Sequence, residues 1–358
     1  MEPTVDPGQV TPGERPVVAT PGTATMADVA KLARVSPATV SRALRGHPSV
    51  TEDTRRRVLD AAERLHYAVS PAASRLATGR TGTIAVLVPR LPQWFYATVV
   101  AGAGPSIHDA GLDLLLYELS DAAVRRRFFA RMPLRRRVDG VIALGMYMDE
   151  VETEALHRLH VPVATVGERE VAGWWNVRID DVDGAAKAVR HLVRLGHQRI
   201  GMISSFSPEG YAFRAPIDRR AGYRQVLTAA GVRYAPELEF SAPFGMEGGG
   251  TAMAELLSGP EQPSAVFCES DEVAFGALRT LRRAGLRVPL DVSVIGFDDH
   301  DMADLLDLST IAQPVREQGR TAAEMLLRSL TTPDAKPEHV VLPTRLVVRA
   351  TTGRPASG

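Results

Sequence analysis

The sequence predicts an all-α N-terminal segment followed by a longer α/β core of parallel sheets in two lobes. Capping signals and apolar stripes at helical spacing crowd residues 25–65. From residue 83 short apolar runs alternate with helical stretches, the pattern of parallel sheets covered by helices. Charge is also segregated: the 358 residues have a formal net charge of zero, yet residues 25–80 hold ten Lys or Arg against five Asp or Glu. A basic excess confined to one end is the footprint of phosphate contact.

In the first segment, Thr25 reads as the cap of a short helix, with Asp28 three residues on. Val29, Ala30, Leu32 and Ala33 give that helix an apolar face, and Arg34-Val35 reads as a turn. Ser36 then reads as a second cap, with Pro37 at the first helical position, where its missing N–H does no harm. Val40, Ala43 and Leu44 point to the core. Pro37, Ala38, Thr39, Ser41 and Arg42 remain outward, and are small, hydroxylic or basic. That is a helix-turn-helix whose second helix is suited to a DNA groove. A third helix is expected over 51–65, with Val58, Leu59, Ala62 and Leu65 as its stripe.

Here the chain resembles the lactose-repressor (LacI/GalR) family of bacterial transcription regulators. The family pattern T-x-x-D-V-A-x-x-A-x-V-S-x-x-T-V-S-R is matched in full from Thr25 to Arg42. The E-x-L-x-Y element is matched by Glu63, Leu65 and Tyr67. A later element is matched by Arg75-Leu76-Ala77, Gly79-Arg80 and residues 84–89. The resemblance runs to about residue 350. It implies DNA contacts at Thr25, Ser36, Pro37, Ala38, Thr39, Ser41, Arg42, Ser49, Thr54, Tyr67, Ala73 and Leu76. Residues 70–81 are too short to hold a helix alone in water. The resemblance makes them a hinge helix that orders on DNA, with Leu76 wedging into the minor groove.

Strand-like runs fall at 84–88, 112–117, 140–144, 163–166, 199–203, 265–268 and 292–297. Helical stretches fall at 96–110, 151–160, 184–195, 219–230, 250–257, 272–284 and 315–330, with a kink or early helix end expected at Pro105. The lobes are expected to divide near 176–181. The resemblance adds recrossings near 309–313 and after Leu330, which make a periplasmic-binding-protein-like clamshell. The expected organisation is a disordered tail (1–24), a DNA-binding domain (25–69), a hinge (70–81), a core (82–350) and a short tail (351–358). Within the core, lobe 1 takes about 82–178 and 312–332, and lobe 2 about 179–311 and 333–350.

Ligands of parallel α/β sheets sit at the carboxyl ends of strands. The first such loop carries Trp94 and Phe95, whose rings suit stacking on a sugar or base face. The resemblance assigns effector contacts to Arg219 (three before Gly222), Asp271 and Phe244, with Gln313 at the recrossing. An Asp with an Arg suits vicinal hydroxyls. Where many sugar-binding members have an Asp after the 163–166 strand, this chain has Gly167, with Glu168 beside it. Asp298 and Asp299 read as structural or signal-linking, and Arg220 as solvated or paired.

Other features point away from catalysis. His157 and His160 read as surface residues, and no Cys or second pair supports a metal. Gly102-Ala-Gly104 does not complete a nucleotide fingerprint. The clusters 125–127 and 135–137 read as salt-bridged arginines. Cys268, the lone cysteine, reads as a packing residue in a reducing compartment. Residues 1–24 lack a secretory pattern, and Met26 is an alternative start. The expectation is a cytoplasmic homodimeric repressor that binds a pseudo-palindromic operator with a central CG and answers to a sugar-like effector. It needs no cofactor, catalytic residue or membrane. A transporter's sugar-binding protein and a sugar-metabolising enzyme are the rivals. The helix-turn-helix argues against the first and the missing catalytic constellation against the second.

Overall fold

The computed structural model describes residues 24–44, 46–67, 80–206, 213–332 and 334–356. The chain divides into two compact units at Gly79/Arg80. The expected tail to Thr23 and most of the expected hinge, including Ala73 and Leu76, lie outside the described residues.

The first unit holds helices α1 (Met26–Ala33), α2 (Pro37–Leu44) and α3 (Glu52–Arg64). Val29, Ala30, Ala33, Val40, Ala43, Val58, Ala61 and Ala62 close its small core. Mostly alanine and valine, this core lets the helix backbones approach closely. Leu32 and Leu59, expected on apolar stripes, are exposed at 41% and 49%. Leu32 lies in α1 and Leu59 in α3, each on the side of its helix turned away from the small core.

The second unit has two six-stranded sheets. The first is built from β1 (Thr83–Val88), β2 (Asp113–Glu118), β3 (Gly140–Leu144), β4 (Val163–Val166), β5 (Trp175–Ile179) and β11 (His339–Leu342), all parallel, in the order β11-β5-β4-β3-β1-β2. Helices α4 (Trp94–Asp109) and α11 (Val315–Thr331) cover one face, and α5 (Ala122–Arg131) and α6 (Glu150–His157) the other. The second sheet runs β12-β10-β9-β8-β6-β7, from β6 (Ile200–Phe206), β7 (Glu239–Pro243), β8 (Ala265–Cys268), β9 (Ser293–Asp298), β10 (Ser309–Ala312) and β12 (Arg345–Val347). Only β12 is antiparallel to its neighbour. Helices α7 (Asp181–Leu195) and α8 (Arg214–Ala229) cover one face, and α9 (Met246–Ser258) and α10 (Asp271–Arg283) the other.

The central strands β1 and β3 are buried at every position, as strands covered on both faces must be. Helix α7 shows how the sequence sets its limits. Asp180 accepts the Asp183 N–H at the start, and Gly196 takes φ 101° at the end, a left-handed stop open to glycine. Helices α4 and α11 pack backbone to backbone: a Cβ on Gly102 would lie 2.1 Å from the Arg316 carbonyl oxygen, and one on Gly319 2.0 Å from that of Val99. Pro105 does not end α4, which continues to Asp109.

The chain passes between sheets three times: after β5, between β10 and α11, and between β11 and β12. The last crossing corrects the expected lobe boundary, because His339–Leu342 pairs with β5 in the first sheet rather than joining lobe 2. Nor is the end a loose tail from residue 351. Thr351 is 6% exposed, and its hydroxyl donates to the Val294 carbonyl at 2.8 Å and accepts the Ser309 N–H at 2.8 Å.

Candidate functional site

In the DNA-binding unit, α1 opens with a reciprocal cap: the Asp28 N–H donates to the Thr25 hydroxyl, and the Thr25 N–H to the Asp28 carboxylate at 2.9 Å. The Thr25 hydroxyl, which donates to the Asp28 carboxylate at 2.6 Å, and the Thr25 N–H hold that exposed carboxyl below its usual range. Arg34 takes φ 52° at the turn, and the Val35 N–H returns to Ala30 at 3.0 Å. Ser36 accepts the Thr39 N–H at 3.1 Å, which starts α2 in a new direction. Val40 and Ala43 lock α2 against the core. Pro37, Ala38 and Arg42 are thereby left exposed, with Thr39 and Ser41 half-buried.

The other expected contacts frame this helix. Ser49 is exposed and hydrogen-bonds the His47 ring at 2.8 Å. Thr54, half-buried in the first turn of α3, accepts the Thr51 hydroxyl at 3.0 Å. Tyr67 packs at the rim of the core. This surface offers a methyl-bearing tip, hydroxyls and one guanidinium, a set that can meet thymine methyls, phosphates or a guanine edge.

In the core unit, strand ends of both lobes converge on a cavity of about 150 Å³. Phe95, Phe244, Arg219 and Gln313 border it, at the places expected of effector contacts. Arg219 is 8% exposed and tightly held. Its Nε donates to Asp181 at 2.8 Å and its Nη1 to the Glu269 carbonyl at 2.5 Å, while the guanidinium lies 3.7 Å over the Phe297 ring. Burial opposes the charge, but Asp181 and Asp298 outweigh it, and Arg219 stays protonated.

Asp271 corrects the expectation. It is fully buried and does not border the cavity. Its carboxylate accepts the Thr310 hydroxyl at 2.7 Å and the His300 N–H at 2.8 Å, joining α10 to β10 and to the loop after β9. Asp298, which the sequence suggests is structural or signal-linking, is one of the carboxylates that do border the cavity. It has φ 122° and accepts the Gln313 amide at 2.6 Å. Gln313 in turn accepts from Gln318 at 2.8 Å. Burial pushes the Asp298 carboxyl up to about 7, against the pull of Arg219 and Gln313. A non-glycine residue in that backbone region is held there by its surroundings, a feature that clusters at ligand sites.

Trp94 is the second correction. It does not border the cavity. Its indole N–H donates to Asp301 at 3.0 Å, and its ring lies 4.8 Å from that of His300, so the start of α4 is tied to the loop after β9 in the other lobe. Phe95, next in the chain, faces the cavity instead, as successive positions at a helix start point apart.

Sequence reasoning missed three cavity carboxylates. Glu168 lies two residues past β4, Glu269 directly follows β8, and Asp181 opens α7. Glu168 is 8% exposed, and burial raises its carboxyl to about 7 against main-chain hydrogen bonds from Arg214 and Arg169. The strand-end rule was the available signal and points to Glu269, whereas the family resemblance pointed to Asp271, three residues past the end of β8. Arg220 is paired as expected, 2.7 Å from Glu239. Arg125 likewise pairs with Glu152. Among the described residues no group of three or more His, Cys, Asp or Glu could hold a metal, and no helix is long and apolar enough to cross a membrane.

Comparison with known proteins places both units. Residues 25–70 match the model for bacterial regulatory proteins of the lacI family, and 189–352 the periplasmic binding protein-like domain. The chain is 34% identical over 334 residues to the HTH-type transcriptional repressor CytR of Escherichia coli, covering 92% of this chain and 96% of the relative. It is 34% identical to the HTH-type transcriptional regulator CelR of Thermobifida fusca, covering 91% and 97%. Among solved structures, a CelR–cellobiose complex aligns with a TM-score of 0.69 at 31% identity, covering 92% of this chain and 99% of that one. A lac repressor dimer bound to operator and an anti-inducer aligns at 0.82 with 27% identity, covering 93% and 100%.

A recognition helix on one unit and a two-lobed ligand fold on the other define a DNA-binding transcription regulator. The chain belongs to the lacI family of bacterial regulatory proteins.

Proposed function

We propose that this regulator is a homodimeric repressor whose operator affinity is set by a small polyol, a sugar or sugar derivative, bound in the core cavity. The observation that carries the reading is the cavity itself: Phe95 and Phe244 supply faces for a sugar ring, and Arg219, Asp298 and Gln313 supply polar groups. Relatives solved with cellobiose and with ribose support the class. One recognition helix per chain reads only a short half-site, so two chains on a pseudo-palindrome follow. Paired hinge segments around Leu76 enter the minor groove at a central CG, a pyrimidine–purine step that unstacks easily. The effector binds one arrangement of the lobes better than another and so shifts the population that holds DNA. The protein acts in the cytoplasm, where its operator is.

The test is mobility of an operator-like duplex in a gel, with cellobiose, ribose, glucose and glucosamine added in turn. A shifted band that one of these sugars weakens or strengthens is the expected result. A duplex bound equally with or without its palindrome contradicts the operator reading, and a band indifferent to every sugar contradicts the effector class.

A further inference from the structure

Among the described residues, four carboxylates (Glu168, Asp181, Glu269 and Asp298) and three arginines (Arg90, Arg214 and Arg219) border the core cavity. Arg219 is committed to Asp181 at 2.8 Å and reaches Asp298 at 3.7 Å, and Arg214 is paired with Asp218 at 2.7 Å. Among the described residues, Glu168 and Glu269 form no ion pair within 4.0 Å. Glu269 is 2% exposed; its Oε1 accepts the Ser205 hydroxyl, while its buried Oε2 receives no hydrogen bond. Glu168, from the other lobe, has main-chain N–H groups of Arg169 and Arg214 beside it and no side-chain cation paired to it. Both border a cavity whose other walls are largely aromatic and aliphatic. A buried acceptor without a donor is costly, and native proteins rarely keep one without a use.

We propose that Glu168 and Glu269 set the charge selectivity of the effector site: the cavity takes a polyol that offers hydroxyl or amine donors to one carboxylate from each lobe, and it rejects anionic sugars. This rests on the effector reading above. A hydroxyl or an ammonium group satisfies the open Glu269 acceptor and adds a donor to Glu168, and an amine also offsets their charge. A uronate or sugar phosphate would bring its charge against two carboxylates while Arg219 is already engaged, an arrangement that discriminates by repulsion. One donor contact on each lobe would also let the effector draw the lobes together.

The experiment uses the full chain at pH 8, above the value of about 7 to which burial raises Glu168, with thermal shift and calorimetry on a matched panel: glucose, ribose, cellobiose, glucosamine, glucuronate and glucose 6-phosphate. The expected result is stabilisation by at least one neutral or amino member and none by the anions. Glu269→Gln keeps the shape and the Ser205 bond. It should weaken the binding member roughly tenfold or more, the effect of one charged hydrogen bond, with its far-UV circular dichroism unchanged. Glu168→Gln provides a second, independent reading from the other lobe. An anionic member that binds as well as its neutral counterpart overturns the selectivity, as does undiminished binding by both variants. Indifference of the wild type to the whole panel overturns the sugar reading itself, and the selectivity with it.

Discussion

Asp271 and Asp298 divide the work expected of one aspartate. Asp271 is the first residue of α10, and its side chain turns beneath the helix toward Thr310 and the His300 N–H. Gly296 makes room for it: a Cβ there would lie 2.0 Å from Asp271 Oδ1. Asp271→Ala would strand two buried donors, at about 1–3 kcal/mol for each group left unsatisfied. A fall in thermal midpoint that no effector reverses is therefore expected, and an unchanged midpoint with lost effector response would return Asp271 to the site. Protonation gives a second prediction. Burial raises Glu168 and Asp298 to about 7, so the folded core holds protons that the unfolded chain releases near the usual carboxyl range. Their contribution is full below that range and is lost as pH rises through 7. The midpoint of the ligand-free protein should fall between pH 5 and 8, and Glu168→Gln should flatten the slope. A midpoint that rises across this window contradicts the assignment. Phe95 was legible as an aromatic just past the first strand, and Arg219, Phe244 and Gln313 through the family resemblance; all four border the cavity. Which carboxylates reach the cavity was not legible, because it depends on whether a residue ends a strand or begins a helix, and the two differ by one or two positions.

At the scale of elements, β1, β3, β4, β6, β8 and β9 were legible as apolar runs, and most helices as periodic stripes. The edge strand β2 was read as a run too, but β5, β7, β10, β11 and β12 were not read as strands. β7, β11 and β12 alternate with exposed or half-buried positions, and β12 is three residues long, so neither length nor pattern marks them. Helix α5 escaped because its run Arg125-Arg-Arg127 hides a narrow apolar face in which only Phe128 is buried. The tight crossing of α4 and α11 was also invisible, since glycines inside helices read only as weak helix formers. Gly102→Ala should lower stability by roughly 1–3 kcal/mol through overpacking against the Arg316 carbonyl; chemical denaturation measures it, and an unchanged midpoint would show that the helices can part freely. In α2, Arg42 is the exposed cation of the recognition face. Arg42→Ala should weaken operator binding by roughly 1–3 kcal/mol, read by fluorescence anisotropy at fixed salt. Unchanged affinity would remove Arg42 from the interface.

For the whole molecule, the division into a small basic unit and a larger two-lobed unit was legible from charge and periodicity alone. The first crossing, near 176–181, was legible as well, but the two recrossings came only from the family resemblance, because strand order is set by pairing between residues more than a hundred positions apart, as when β11 joins β5. These crossings bring ligand groups from both lobes to one cavity and give a small molecule leverage over lobe arrangement. The central claim is that occupancy of this cavity controls grip on DNA. It is tested most directly by titrating a labelled pseudo-palindromic operator with the full chain by fluorescence anisotropy, with and without a saturating sugar identified by thermal shift, for the wild type and for Asp298→Asn. The account predicts that the sugar changes wild-type operator affinity several-fold or more, and that Asp298→Asn binds operator as the wild type does but no longer responds to the sugar. A variant that still responds fully, or a wild type whose operator affinity ignores a sugar it demonstrably binds, would contradict it.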